Sequence, residues 1–223
     1  MSFRTKPLLL ALGVVVSLAG AAPLAERRID FENEELGQPP RYFTPAVTGD
    51  FKDGNWVVEE AEGAPSGNKA LAQRDDGKEA HRFALCVYDS DKVADVDVVV
   101  QLKPLSGKAD QGGGVVARHQ DRDNYYVAQA DALEASVHLY SVVQGKRTQI
   151  AGQPVAVDAG KWHKLRLVVV GRHAEVHFND VLLFEADDDA IRDAGNVGLW
   201  TKADSVTLFD DFAFKSAGGK KRE

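Results

Sequence analysis

The sequence predicts an all-β protein built as a two-sheet antiparallel β-sandwich. Three observations lead there. Apolar and polar residues alternate with a period of two along most of the chain, the pattern of strands buried on one face. No segment holds about ten or more residues of helical period between capping residues. About twelve to fourteen such runs fit into one chain, more than a single twisted sheet carries without splitting into two packed layers.

The elements follow in order. "IDFE" (29–32) and "NWVVEE" (55–60) open the domain. In "HRFALCVY" (81–88), Phe83, Leu85 and Val87 alternate with Arg82, Ala84 and Cys86, so the larger set is expected inside. In "DVDVVVQLK" (95–103), Val96, Val98, Val100 and Leu102 share one face, with Asp95, Asp97 and Gln101 on the other. "GGGVVAR" (112–118) is a strand whose glycines permit a bulge or a close backbone approach. "SVHLYSVV" (136–143) sets Val137, Leu139 and Ser141 against Ser136, His138 and Tyr140. Residues 161–185, "KWHKLRLVVVGRHAEVHFNDVLLFE", read as a three-stranded meander, and Asn179-Asp180 suits a two-residue hairpin because both types tolerate positive φ. "DDAIRDA" (188–194) is the best candidate for a single helical turn. "EGAPSGNK" (62–69) and "PLSGKADQGGG" (104–114) read as loops. No linker divides the chain, so one domain is expected over residues 22–214, with a basic disordered tail at 215–223.

The N-terminus carries a compartment signal. Arg4 and Lys6 precede an apolar stretch from Leu8 to Leu18, and Ala19-Gly20-Ala21 supplies small residues for cleavage. The apolar stretch is too short to span a bilayer, so residues 1–21 are expected to be a signal peptide and the protein periplasmic or secreted. An uncleaved anchor is the competing reading, whereas cleavage leaves no segment for stable membrane insertion. The chain has 27 basic and 34 acidic side chains, and losing Arg4 and Lys6 with the leader brings the formal charge to −9. That balance argues against nucleic acid and anionic membrane surfaces as partners. The lone Cys86 forms no internal disulfide.

Several pieces in this order resemble a known family. They are "IDFENEELGQPPRYF", "NWVVEE", "GGGVVARHQDRDNYYVAQADALEASVHLYSVVQGKRTQI", "AGKWHKLRLVVVGRHAEVHFNDVLLFEADD" and "AGNVGLWTKADSVTLFDDFAF". Over about residues 29–214 the chain is similar to the concanavalin A-like, laminin G-like jelly rolls of bacterial secreted proteins. Within them it most resembles the 3-keto-disaccharide hydrolase, or family-16-like glycoside hydrolase, group. The resemblance implies two curved sheets, a carbohydrate site on the concave one, and pairing of residues 29–32 with residues 206–214. A ligand-facing "NSG" typical of the hydrolases is replaced here by "GGGVVARHQ" (112–120). The expected function is therefore an exported carbohydrate-binding jelly-roll domain, with glycoside hydrolysis as the activity the resemblance implies. The alternative is a non-catalytic laminin G-like module that holds a protein partner or a cell-surface polymer.

Candidate site residues come from several strands. Arg118, Tyr125, Gln129, Asp131, His138, Tyr140, Trp200 and Lys202 are expected on one mixed aromatic and polar face. Aromatic faces stack on the C–H surface of a sugar while polar groups satisfy its hydroxyls. An ordinary solvent-facing sheet is the bland alternative. Asp30, Glu32, Asp210 and Asp211 fall where the chain ends meet, and carboxylates there suit a structural Ca²⁺, as similar jelly rolls often hold. The competing reading pairs those acids with Arg27 or Arg28. His119, Asp121 and Asp123 are a weaker metal candidate in a polar turn, and the histidines lack a zinc-protease spacing. Glu185, Asp187 and Asp189 alternate at the end of the meander. They resemble the two-carboxylate arrangement of a glycosidase, but their place at a sheet exit favours a strand terminus.

Overall fold

A computed structural model describes residues 25–217, apart from 76 and 78. The expected leader, residues 218–223 of the tail, and the cleavage site lie outside the described residues. Strands numbered in chain order form two sheets in which every pairing is antiparallel. The seven-stranded sheet runs β10 (Lys146–Pro154), β9 (Ser136–Val143), β8 (Asn124–Asp131), β7 (Gly112–Asp121), β14 (Gly195–Lys202), β5 (Phe83–Val93) and β2 (Phe43–Thr48). The eight-stranded sheet runs β13 (Val181–Asp187), β12 (His173–Phe178), β11 (His163–Val170), β6 (Val96–Ser106), β15 (Val206–Ser216), β4 (Lys69–Gln73) and β3 (Trp56–Glu60), with β1 (Arg27–Ile29) on β15. The chain crosses between sheets at β1–β2, β2–β3, β4–β5, β5–β6, β6–β7, β10–β11, β13–β14 and β14–β15, which is jelly-roll wiring.

The core lies between the sheets. Val96, Val98, Val100 and Leu102 of β6 meet Leu165 and Leu167 of β11, Phe209, Phe212 and Phe214 of β15, and Tyr126, Ala128 and Leu139 of the opposite sheet. The Asn179-Asp180 hairpin has φ of 49° and 65°, as the turn requires, and Gln144-Gly145 repeats it between β9 and β10 at 51° and 75°. Among the described residues there is no helix: Asp188 instead makes a turn by accepting the Ala190 N–H at 2.9 Å and the Tyr126 hydroxyl at 2.5 Å.

Two expected orientations are reversed. Ala84 and Cys86 enter the core, whereas Phe83, Leu85 and Val87 point out from the seven-stranded sheet. The larger residues face outward because a second apolar cluster waits for them there. On β15, simple alternation puts Leu208, Asp210 and Phe212 on one face. A bulge with Asp211 at φ 50° resets the parity, so Phe209, Phe212 and Phe214 all reach the core while Leu208 faces out. The chain ends meet as the resemblance implied, although the register pairs Arg27–Ile29 with Phe212–Phe214.

Candidate functional site

The outer face of the seven-stranded sheet is assembled by register. β8 and β9 place Gln129 opposite His138 and Val127 opposite Tyr140, while β14 places Trp200 between Leu85 and Gly114. Phe83, Leu85, Val87, Val116, Tyr125, Val127, Tyr140, Val142 and Trp200 pack there as one cluster. Trp200 and Tyr125 are both 0% exposed although no third layer lies over them, so the sheet curls into a trough filled by its own side chains. Trp200 stacks on Phe83 with ring centroids 5.4 Å apart. Its Nε1 donates to the Tyr125 hydroxyl at 3.2 Å. Thr48 donates to the Arg122 carbonyl, so the Tyr125 proton goes to Thr48 Oγ1 at 2.7 Å. Burial pushes the Tyr125 phenol up to about 12.

Arg147, from edge strand β10, lies over this cluster. Its guanidinium carbon is 4.2 Å from the Tyr140 ring centroid, 5.1 Å from Phe83 and 5.8 Å from Trp200. A cation over three ring faces is attracted by each quadrupole. Arg147 Nη1 also donates to Gln129 Oε1 at 3.1 Å. That fixes the amide orientation, because the Gln129 NH₂ then faces acceptors: Asp110 at 3.3 Å and Asp131 at 3.2 Å.

Two carboxylates thus converge on one amide at the polar end of the trough, each 1% exposed. Asp131 Oδ1 accepts the Leu133 and Glu134 N–H groups at 2.8 and 3.0 Å, closing the β8–β9 turn. Asp110 accepts Lys202 Nζ at 2.7 Å and Ser205 Oγ at 2.9 Å. Burial, then the negative charge of Asp131, raise Asp110 to about 6, against the pull of Lys202 and Ser205. The backbone of this corner is held by Asp204. Its carboxylate takes the N–H groups of Lys108, Ala109 and Asp110 at 2.8 to 3.1 Å. Burial opposes its charge, but those three donors more than offset it and lower its pKa. Gly107 makes the turn possible: a Cβ there would lie 1.8 Å from the Asp110 carbonyl oxygen.

The structure brings together seven of the eight residues expected on this face. Asp131 is one of the carboxylate pair, Gln129 and Lys202 bond to that pair, and His138, opposite Gln129, lies against Tyr140, while Tyr125 and Trp200 lie in the buried cluster. The stacking expected of Trp200 and Tyr125 is corrected, because neither is open to a ligand. Tyr140, 7% exposed and covered by Arg147, and half-buried His138 form the rim. Gly152 of β10 lets His138 lie flat against it, since a Cβ there would be 2.0 Å from the imidazole. Arg118 is the second correction. A bulge at its φ of 51° turns it off the face, and its guanidinium is buried between the Ala94 carbonyl at 2.7 Å and the Ile191 carbonyl at 2.8 Å. Asp110 and Arg147 were missed. Asp110 sat in an apparent loop, and Arg147 on a largely polar edge strand whose parity carried no apolar signal.

At the closure, the four acids expected to hold Ca²⁺ are engaged with donors. Asp210 accepts Ser66 N and Oγ at 2.9 and 2.7 Å, and Asp211 pairs with Arg28 at 2.7 Å. Glu32 Oε1 accepts the N–H groups of Asn68 and Lys69, and Asp30 Oδ1 accepts Glu32 N. The Lys69 ammonium sits between the carbonyls of Glu32 and Glu34 at 2.9 and 2.8 Å. A lysine thus already supplies the positive charge, and as arranged these groups do not fit a calcium ion. Asp121 similarly caps its own turn through Asp123 N and Asn124 Nδ2.

Comparison with known proteins agrees with this architecture. The chain is similar to the carbohydrate-binding module CBM66 from Bacillus subtilis at 20% identity, covering 79% of this chain and 98% of that one with a TM-score of 0.62. Domain 4 of the extracellular arabinanase AbnA from Geobacillus stearothermophilus, solved with arabinotriose, is 15% identical over 87% of this chain and 92% of that one, with a TM-score of 0.56. The cellulose-induced protein Cip1 is 12% identical over 86% and 97%, with a TM-score of 0.60. These likenesses establish the jelly-roll fold. No curated protein matches the sequence. The family model described as "3-keto-alpha-glucoside-1,2-lyase-like domain" matches residues 43–215, and the chain belongs to that family.

Proposed function

We propose that this protein handles a carbohydrate at the polar end of the trough, with Tyr140 and His138 on the rim and Arg147, Lys202, Gln129, Asp110 and Asp131 supplying polar contacts. The observation that carries this reading is the network itself. One amide joins two buried carboxylates to an arginine that lies on three aromatic rings. A sugar needs fixed donors and acceptors beside an apolar surface, and this corner offers both. The carbohydrate-linked fold neighbours and the family's description support the same class of ligand. Export through the leader belongs to this proposal too.

Asp110 favours a second, catalytic reading. A 1,2-elimination from a 3-keto-glucoside begins when a carboxylate takes the proton at C2, which the neighbouring ketone acidifies. That electron pair becomes the C1=C2 bond, the C1–O bond breaks, and a carboxylic acid protonates the leaving oxygen. A carboxyl raised to about 6 beside a second carboxylate suits such paired acid and base roles. Arg147 has to swing aside to admit the substrate.

The test is thermal unfolding of the mature chain against an oligosaccharide panel, with a 3-keto-disaccharide included and its products followed by chromatography. Binding is expected to raise the midpoint, and Tyr140→Ala or Arg147→Ala to abolish the rise. Turnover lost in Asp110→Asn with binding retained identifies the catalytic reading. A rise that survives both rim variants places the ligand elsewhere and defeats the proposal. Ca²⁺ added alone is expected to leave the midpoint unchanged, given the occupied donors at the closure.

A further inference from the structure

On the outer face of the other sheet, β12 and β13 pair His173 with Asp187 and Glu175 with Glu185. Two glutamates directly opposite each other across an antiparallel pair repel unless something positive lies between them. The nearby Arg166 is already held by Asp97 through two bonds of 2.7 and 2.8 Å. Instead, His173, Glu175 and Glu185 bring one ligand atom each within 4.8 Å of one another. His173 Nε2 lies 3.6 Å from Glu185 Oε1. That is long for a hydrogen bond, but close to the roughly 3.3 Å edge of a tetrahedral site with bonds of about 2.0–2.1 Å.

The surrounding groups point the same way. Asp187 Oδ1 lies 3.0 Å from His173 Nδ1, which places the ring proton on Nδ1 and turns the Nε2 lone pair toward the two glutamates. His177 Nε2 lies 3.1 Å from Glu175 Oε2 and donates to that carboxylate. A carboxylate behind the ligating imidazole and a donor behind the ligating carboxylate are the outer partners by which metal sites orient their ligands.

We propose that His173, Glu175 and Glu185 form a site for a divalent transition cation of the Zn²⁺ class, with Asp187 and His177 as positioning residues and the fourth ligand a water. Such an ion ties edge strand β13 to β12 and removes the repulsion between the paired glutamates. The site also accounts for the alternation of Glu185 and Asp187, which serve His173 rather than a sugar. Asp189 does not take part, since it pairs with Arg192 at 2.7 Å.

Calorimetric titration of ZnCl₂ into untagged, chelator-treated full chain tests this, with Co²⁺ absorption as a second readout. One equivalent is expected to bind, and Co²⁺ to show the visible bands of a tetrahedral site. His173→Ala is expected to abolish binding, while Asp187→Asn weakens it about 10- to 100-fold. His81→Ala is expected to change nothing. Circular dichroism confirms that each variant is folded. Absence of one-equivalent binding, or equal affinity in His173→Ala, means His173 merely bridges Asp187 and Glu185 and overturns the proposal.

Discussion

The two outward sheet faces share the same period-two alternation, yet they differ completely in what that alternation exposes. On the eight-stranded sheet, β11 to β13 present Arg166, Glu175, His177 and Glu185 to solvent, with Leu182 46% exposed at the edge. On the seven-stranded sheet, the outward positions hold Phe83, Leu85, Tyr125, Val127 and Trp200, all below 5% exposed. Curvature makes the difference. A sheet that curls toward its own outer side chains removes them from water, so that face becomes a second, smaller core. Polar groups trapped at its end, such as Asp110 and Asp131, then sit in a low dielectric.

The largest expected effect follows from that contrast. Trp200→Ala removes a side chain with full core burial, its stack on Phe83 and its bond to Tyr125. The expected cost is about 3–5 kcal/mol in urea unfolding, the range for buried large-to-small changes. Leu182→Ala, on the open face, is expected to fall within about 0.5 kcal/mol. Equal costs at the two positions would mean that the trough is not a core.

The contrast also explains what was legible in the sequence. Strand positions, the Asn179-Asp180 hairpin and the parity of Gln129, Asp131, His138 and Trp200 were readable, because period two and turn chemistry are local. Which face of "HRFALCVY" points inward was not readable. Both faces of β5 are buried, and the assumption that larger residues face the core fails when a trough competes for them. Arg118 and the β15 parity failed for a different reason: one bulge residue at positive φ flips every side chain beyond it, and nothing in "VVARHQ" or "LFDDF" announces it. Asp110 gains its role only because Asp204, 94 residues away, folds the loop against β8 and β14.

The middle-sized effect concerns pH. The folded pKa of Asp110 is raised, to about 6, so native Asp110 holds its proton more tightly than the unfolded chain does. Its contribution is fully present below the unfolded value near 3.8 and fades as pH rises through 6. Wild type is therefore expected to lose about 1–3 kcal/mol relative to Asp110→Asn between pH 4 and 7. Unfolding curves of the two proteins at matched pH measure this directly. A flat difference would show that Lys202 keeps Asp110 ionised throughout.

The smallest effect has the opposite sign and lies on the open face. Burial opposes the charge of Asp97, but the bonds and charge of Arg166, aided by Lys215, outweigh it and hold the carboxyl below its usual range. Stability from this group is present above the unfolded carboxylate range and is lost as pH falls through the lowered folded value. Arg166 is more than a third exposed, so solvent and salt screen the pair and its worth is about 0.5–1 kcal/mol. Arg166→Ala is accordingly expected to cost that much at pH 7 and nothing near pH 2. The same titration series that shows Asp110 losing its contribution with rising pH thus shows Asp97 gaining one. Sharing a slope would mean that both carboxylates answer to the protein's net charge, and that curvature gives the two faces no separate electrostatics.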